Sequence, residues 1–233
     1  MIEKHISSQF DVELSDISTL VLEMGGLVET QVRQAIHALH ELSVETANHV
    51  LEIENRVNKM EIDIDQRITS IMSRRQPTAG DLRLLVGVSR VIVNLERAGD
   101  EASRIARMTK QFIEAGAPRS LPLADVIDSA QHAADSVQQT LDAFARLDVQ
   151  AALNIIIDDD QLDAEYEGYL RKLITYMMED PRTISPSLNL LFLAKAVERI
   201  GDHAKNIAEA TIYVVKGADI RHSSPEERES AIQ

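Results

Sequence analysis

No cysteine occurs among the 233 residues, which excludes disulfides, thiolate metal sites and thiol chemistry, and fits a reducing compartment. Tryptophan is absent too, and aromatics make up 3% of a chain that is 44% hydrophobic. Any core must therefore be built from Leu, Ile, Val, Ala and Met, which suits helix packing better than a sheet sandwich. Positive charge is in short supply: 24 Lys and Arg stand against 38 Asp and Glu, for a net charge of −14. Such a chain repels nucleic-acid backbones and favours cations as small ligands. Long apolar runs are missing as well. The longest, Leu190 to Ala194, stops at Lys195, and MIEKHISSQF lacks the apolar stretch of a secretory signal. The expectation is a cytoplasmic protein that reaches a membrane only through a partner.

What is present is three-four spacing. Leu14, Ile17, Val21, Met24, Val28, Val32, Ala35, Leu39 and Leu42 draw one stripe; Val57, Ile64, Ile68 and Ile71 draw another; Leu84, Val88, Val91, Leu95, Ala98 and Ile105 a third. Three long helices are therefore expected before residue 115. Pro77, Pro118, Pro122, Pro181, Pro186 and Pro225 all fall between stripes, and Ser185 before Pro186 reads as an N-cap with proline at the first helical position.

The second half repeats the first. AIHALHELSVETANHVLEIENRVN from Ala35 matches TLDAFARLDVQAALNIIIDDDQLD from Thr140 at a spacing of 105, and ERAGD (96–100) matches ERIGD (198–202) at 102. The sequence thus predicts an all-α fold of two tandem, pseudo-equivalent three-helix bundles: one unit over 1–115, a second over 116–217, and a polar tail over 218–233 expected to fray.

Glu96 and Asp100 share a helix face, as do Glu198 and Asp202. On the second helix of each unit, Glu54 with Asn58 and Asp159 with Asp163 offer counterparts, so each bundle can gather four oxygen-bearing residues. Such clusters suit Mg²⁺, Mn²⁺ or Fe, with Zn²⁺ a further candidate. The plainer alternative is a pair of solvated acidic faces. The first site reads as the weaker, because Asn58 is neutral where Asp163 is charged. Gly99 and Gly201, each costing about 1 kcal/mol in a helix interior, imply either close helix packing or room for metal. Arg97 and Arg199 point away from their neighbouring glutamates, toward interhelical ion pairs or a partner, and His203 is a minor ligand candidate. No histidine has a glutamate three residues before it, and no phosphate-cradling loop or nucleophile elbow occurs, so an enzyme is not expected.

RRQPTAGDLRLL, the two ER-x-GD motifs, TYMMEDPRTI and YVVKGADIRH together resemble the PhoU family from His5 to His222. The family's E/D-x-x-x-D metal motif is matched by Glu96 and Asp100, Asp159 and Asp163, and Glu198 and Asp202, while Glu54 with Asn58 departs from it. The resemblance implies a homodimeric negative regulator of phosphate uptake and the phosphate-starvation regulon. Its implied partners are the ATPase subunit of the phosphate ABC transporter (PstB) and the phosphate sensor histidine kinase (PhoR). A metal-binding helical scaffold or carboxylate metalloprotein without a signalling role is the rival reading.

Overall fold

The computed structural model describes residues 8–114, 116 and 122–232. Among these, the chain is helical without a strand: α1 (Ser8–Glu41), α2 (Val44–Arg75), α3 (Ala79–Glu114), α4 (Leu123–Arg146), α5 (Val149–Glu179), α6 (Ile184–Lys216) and α7 (Pro225–Ile232). A 3-10 turn over Pro181–Thr183 leads into α6. The duplicated three-helix architecture is the expected one. Pro118 in the boundary segment and His5, where the family resemblance begins, lie outside the described residues.

The repeat is built into the turns. Leu42 and Leu147 both adopt a left-handed conformation, each at φ 52. The next residue in each unit caps the following helix: Ser43 Oγ accepts from the Thr46 amide at 3.2 Å, and Asp148 Oδ1 from the Ala151 amide at 3.0 Å. Matching turn chemistry produces the same antiparallel return twice.

The entry to α6 departs from the sequence expectation. Asp180 accepts from the Arg182 amide at 2.9 Å, and the Thr183 hydroxyl donates to the Tyr176 carbonyl at 2.9 Å. That 3-10 turn starts α6 at Ile184, so Ser185 is not the cap and Pro186 sits inside the first turn. Amides of a first turn have no intrahelical acceptor, so proline removes no bond there.

Helix α2 packs on α1 and α3, α5 packs on α4 and α6, and the two units join through α3 on α6 and α1 on α4. The α3–α6 seam is antiparallel: Gly87 meets Val214, Asn94 meets His203, and Glu101 meets Arg199. A pseudo-two-fold relation between the units therefore passes at the level of Gly99 and Gly201. Buried side chains of both halves, among them Leu14, Leu95, Leu173 and Leu190, belong to one continuous core. No helix among the described residues is long and apolar enough to cross a membrane.

The segment after Gly217 differs from the fraying tail expected. Gly217 turns the chain in the left-handed region (φ 72), Ile220 is buried against Leu153, Ile156 and Ile212, and α7 follows. One apolar residue at the right reach anchors a stretch whose composition reads as polar.

Glycine substitutions separate packing from propensity. A Cβ at Gly87 would come within 2.2 Å of Val214 Cγ2, whereas one at Gly168 meets nothing within 4 Å. Gly168→Ala should raise unfolding free energy by up to about 1 kcal/mol. Gly87→Ala should lower it by roughly 1–3 kcal/mol through strain at the seam. Urea titrations of both variants check this, and equal effects would contradict it.

Candidate metal centre

Antiparallel α2 and α3 bring Glu54, Glu96 and Asp100 together, with one oxygen from each inside a 4.8 Å radius of the others. Glu54 is buried, Glu96 half-buried and Asp100 exposed, so the cluster opens from the helix interface to solvent. Gly99 makes the approach possible. A Cβ there would lie 2.8 Å from Gln31 Oε1 and 3.5 Å from Glu54 Oε2.

Residues that sequence reasoning missed hold Glu54 in place. Gln31 Nε2 donates to Glu54 Oε2 at 2.7 Å, and Ser103 Oγ donates to the same oxygen at 2.9 Å. Gln31 is fully buried, and its Oε1 has no hydrogen-bond partner. Asn58, with its amide nitrogen toward Glu54, donates to Oε1 at 3.2 Å. It thus meets the cluster as a donor, where the sequence suggested a carbonyl ligand. Glu61, one helical turn beyond Asn58 on α2, adds a further carboxylate whose charge acts on Glu96. The i, i+4, i+7 spacing of 54, 58 and 61 was the available signal for Glu61. Gln31, Ser103 and Lys205 carried no signal because their roles depend on which helices meet.

The cluster shares a proton. Asp100 is pushed up to about 7, first by its hydrogen bond with Glu54, then by burial and by the charges of Glu54 and Glu96. Burial alone would raise Glu54, but hydrogen bonds from Asp100, Gln31, Ser103 and Asn58 outweigh it and hold its carboxyl below the usual range. Burial and the charges of Glu61 and Glu54 raise Glu96.

The second unit brings Asp159, Asp163, Glu198 and Asp202 to one face of α5 and α6, with Gly201 under Leu162 and Asp159. Here two lysines take part. Lys205 Nζ lies 2.6 Å from Asp159 Oδ2, and Lys195 Nζ lies 2.5 Å from Glu198 Oε1. Glu198 Oε2 is buried without a hydrogen-bond partner. Burial, followed by the charges of Glu198, Asp159 and Asp163, pushes Asp202 up to about 6.

Between the clusters, on the α3–α6 seam, lies a cleft of about 550 Å³ lined by Arg97, Asp100, Glu101, Arg199, Asp202, His203 and Asn206. Arg199 Nη1 donates to Glu101 Oε1 at 2.9 Å, which makes it an interhelical ion pair, while Arg97 forms no ion pair among the described residues. His203 Nδ1 meets Asn94 Oδ1 at 3.1 Å, and burial followed by Arg97 pushes the ring down to about 4. It stays neutral and is engaged with α3 rather than with the carboxylates.

Fold and clusters define a class: a duplicated three-helix protein with a carboxylate-rich site on each half. The sequence pattern of the PhoU domain matches residues 21–109 and again 126–211, and this chain belongs to the PhoU family. It is 47% identical over 228 residues to a phosphate-specific transport system accessory protein PhoU homolog from Burkholderia sp, covering 97% of both chains. The Escherichia coli (strain K12) phosphate-specific transport system accessory protein PhoU is 44% identical, with 97% of this chain and 93% of that protein covered. The crystal structure of PhoU from Pseudomonas aeruginosa matches with a TM-score of 0.87 at 45% identity, over 90% of this chain and all of that one. The Streptococcus pneumoniae phosphate transport system regulatory protein PhoU, at 24% identity and a TM-score of 0.83, shares the fold.

The shared proton makes metal-free stability pH-dependent. Asp100 holds its proton in the folded state up to about 7, against 3.8 for the ordinary group. The stability this contributes is therefore complete below 3.8 and lost as pH rises toward 7. In chelator, the melting temperature of Asp100→Asn should fall less between pH 5 and pH 8 than that of the unaltered protein. Parallel slopes would contradict the shared proton.

Proposed function

We propose that this chain is a negative regulator of phosphate uptake and of phosphate-starvation gene expression. It acts by docking on the phosphate transporter's ATPase subunit and on the phosphate sensor kinase, and it carries a divalent or transition metal ion at the first carboxylate cluster. The observation that carries the regulatory reading is near full-length similarity, over 97% of the chain, to accessory proteins of phosphate-specific transport. Docking is supported by exposed apolar side chains where α5 turns into α6: Ile174, Met178, Ile184, Leu188 and Phe192, with Met178 80% exposed. A regulator of this kind works by binding its partners differently in different states, and needs no chemistry of its own.

The metal reading rests on the donor set. Three carboxylate groups within reach of one ion suit a hard or borderline cation. Beside them, buried Gln31 donates to Glu54 through Nε2 and leaves its Oε1, against Gly99, without a partner. Glu54, Glu96 and Asp100 would hold the ion, whose charge would offset their mutual repulsion. The ion would thereby tie α2 to α3.

Deletion of the gene should release phosphate-starvation genes in phosphate-rich medium. Normal repression in that strain, with no second copy present, would refute the regulatory reading. Glu96→Gln with Asp100→Asn should remove about tenfold or more of the affinity for Mn²⁺ while leaving the circular dichroism melt cooperative. Undiminished affinity would refute the metal reading and favour solvated acidic faces.

A further inference from the structure

The two carboxylate clusters are equivalent by repeat but not by surroundings. At the 102-residue spacing, Lys205 corresponds to Ser103 and Lys195 to Val93. The correspondence holds in space. Ser103 Oγ donates to Glu54 Oε2 at 2.9 Å, and Lys205 Nζ reaches Asp159 Oδ2, the repeat-related carboxylate, at 2.6 Å. Substitution at one helix position has exchanged a neutral hydroxyl for an ammonium. Val93 is exposed and brings no charge, whereas Lys195 binds Glu198 and lies over the Tyr166 ring at 5.1 Å.

We propose that Lys205 and Lys195 act as the second cluster's resident cations, so that a divalent ion binds first at the Glu54–Glu96–Asp100 cluster and enters the second only by displacing them. This rests on the metal reading above and adds an order of occupancy to it. The Lys205–Asp159 pair is enclosed, with side chains 23% and 4% exposed, so solvent screens it little and its release carries a desolvation penalty. At the first cluster, Glu54, Glu96 and Asp100 form no ion pair among the described residues, and Arg97 and Arg107 act on it only at a distance. Each cluster has one buried oxygen without a partner, Gln31 Oε1 at the first and Glu198 Oε2 at the second, so the lysines make the difference: at the first cluster no intramolecular cation has to leave for an ion to enter.

Mn²⁺ titration calorimetry on the full-length protein, with ion counts by mass spectrometry, tests this through exchanged residues. The unaltered protein should show one tight Mn²⁺ per chain, removed by Glu96→Gln with Asp100→Asn. Lys205→Ser with Lys195→Val should create a second site at least about tenfold tighter than before. Ser103→Lys should weaken the first by a similar factor. Because Ser103 is fully buried, that variant is read only if its circular dichroism melt stays cooperative; the lysine pair alone decides the matter otherwise. Two equal sites in the unaltered protein, or unchanged affinity after the lysines are removed, would overturn the order of occupancy while leaving the metal reading intact. Absence of Mn²⁺ binding in every variant would overturn the metal reading and the order together.

Discussion

Each half of the molecule buries an acid, Glu54 or Asp159, against a glycine-bared stretch of the helix that runs through the middle of the fold. A buried carboxylate is tolerated only when neighbouring groups satisfy it, so this placement dictates much of what surrounds it. In the first unit the compensation is neutral and shared: Gln31 and Ser103 donate to Glu54, and Asp100 supplies a proton. In the second it is ionic, through Lys205. Gly99 and Gly201 follow from the same constraint, since a Cβ at either would collide with the groups packed over the acid. Of the alternatives the sequence set, close packing accounts for both glycines: side chains from neighbouring helices fill the space, the polar Gln31 over Gly99 and the apolar Leu162 over Gly201, with the buried acid 3.5 Å from the added Cβ in each case.

The seam between α3 and α6 converts this local arrangement into a global one. Because the helices run antiparallel and the repeat offset is 102, the two ER-x-GD segments meet side by side and face the same cleft. Arg199 crosses to Glu101 and His203 crosses to Asn94, so both clusters sit on helices locked to each other. An ion that draws α2 toward α3 therefore acts on a helix that also forms the main contact with the other unit. On the function proposed above, that coupling would be a physical route from the site to the docking faces.

Much of the fold was legible because three-four stripes and the internal repeat are local signals, visible in Leu14 to Leu42 and in the 105-residue match alike. The start of α6 was less so, since the Asp180 and Thr183 turn competes with the stronger-looking Ser185–Pro186 pattern. Ile220 was hidden by polar neighbours. The carboxylates themselves were legible from i, i+4 spacing. Their surroundings were not: comparing Asn58 with Asp163 favours the second cluster, whereas the order of occupancy proposed above rests on positions 103 and 205, whose side chains reach across to a neighbouring helix. Spacing along one helix identifies which residues share a face; it does not identify what the facing helix supplies.

On the order of occupancy proposed above, the first cluster, not the second, is the one prepared for an external cation. Anomalous diffraction from crystals soaked briefly in Mn²⁺ tests it most directly. A strong peak is expected bounded by Glu54, Glu96 and Asp100, and a weaker one, or none, at Asp159, Asp163, Glu198 and Asp202. A dominant peak at the second cluster, with Lys205 still bound to Asp159, would contradict it.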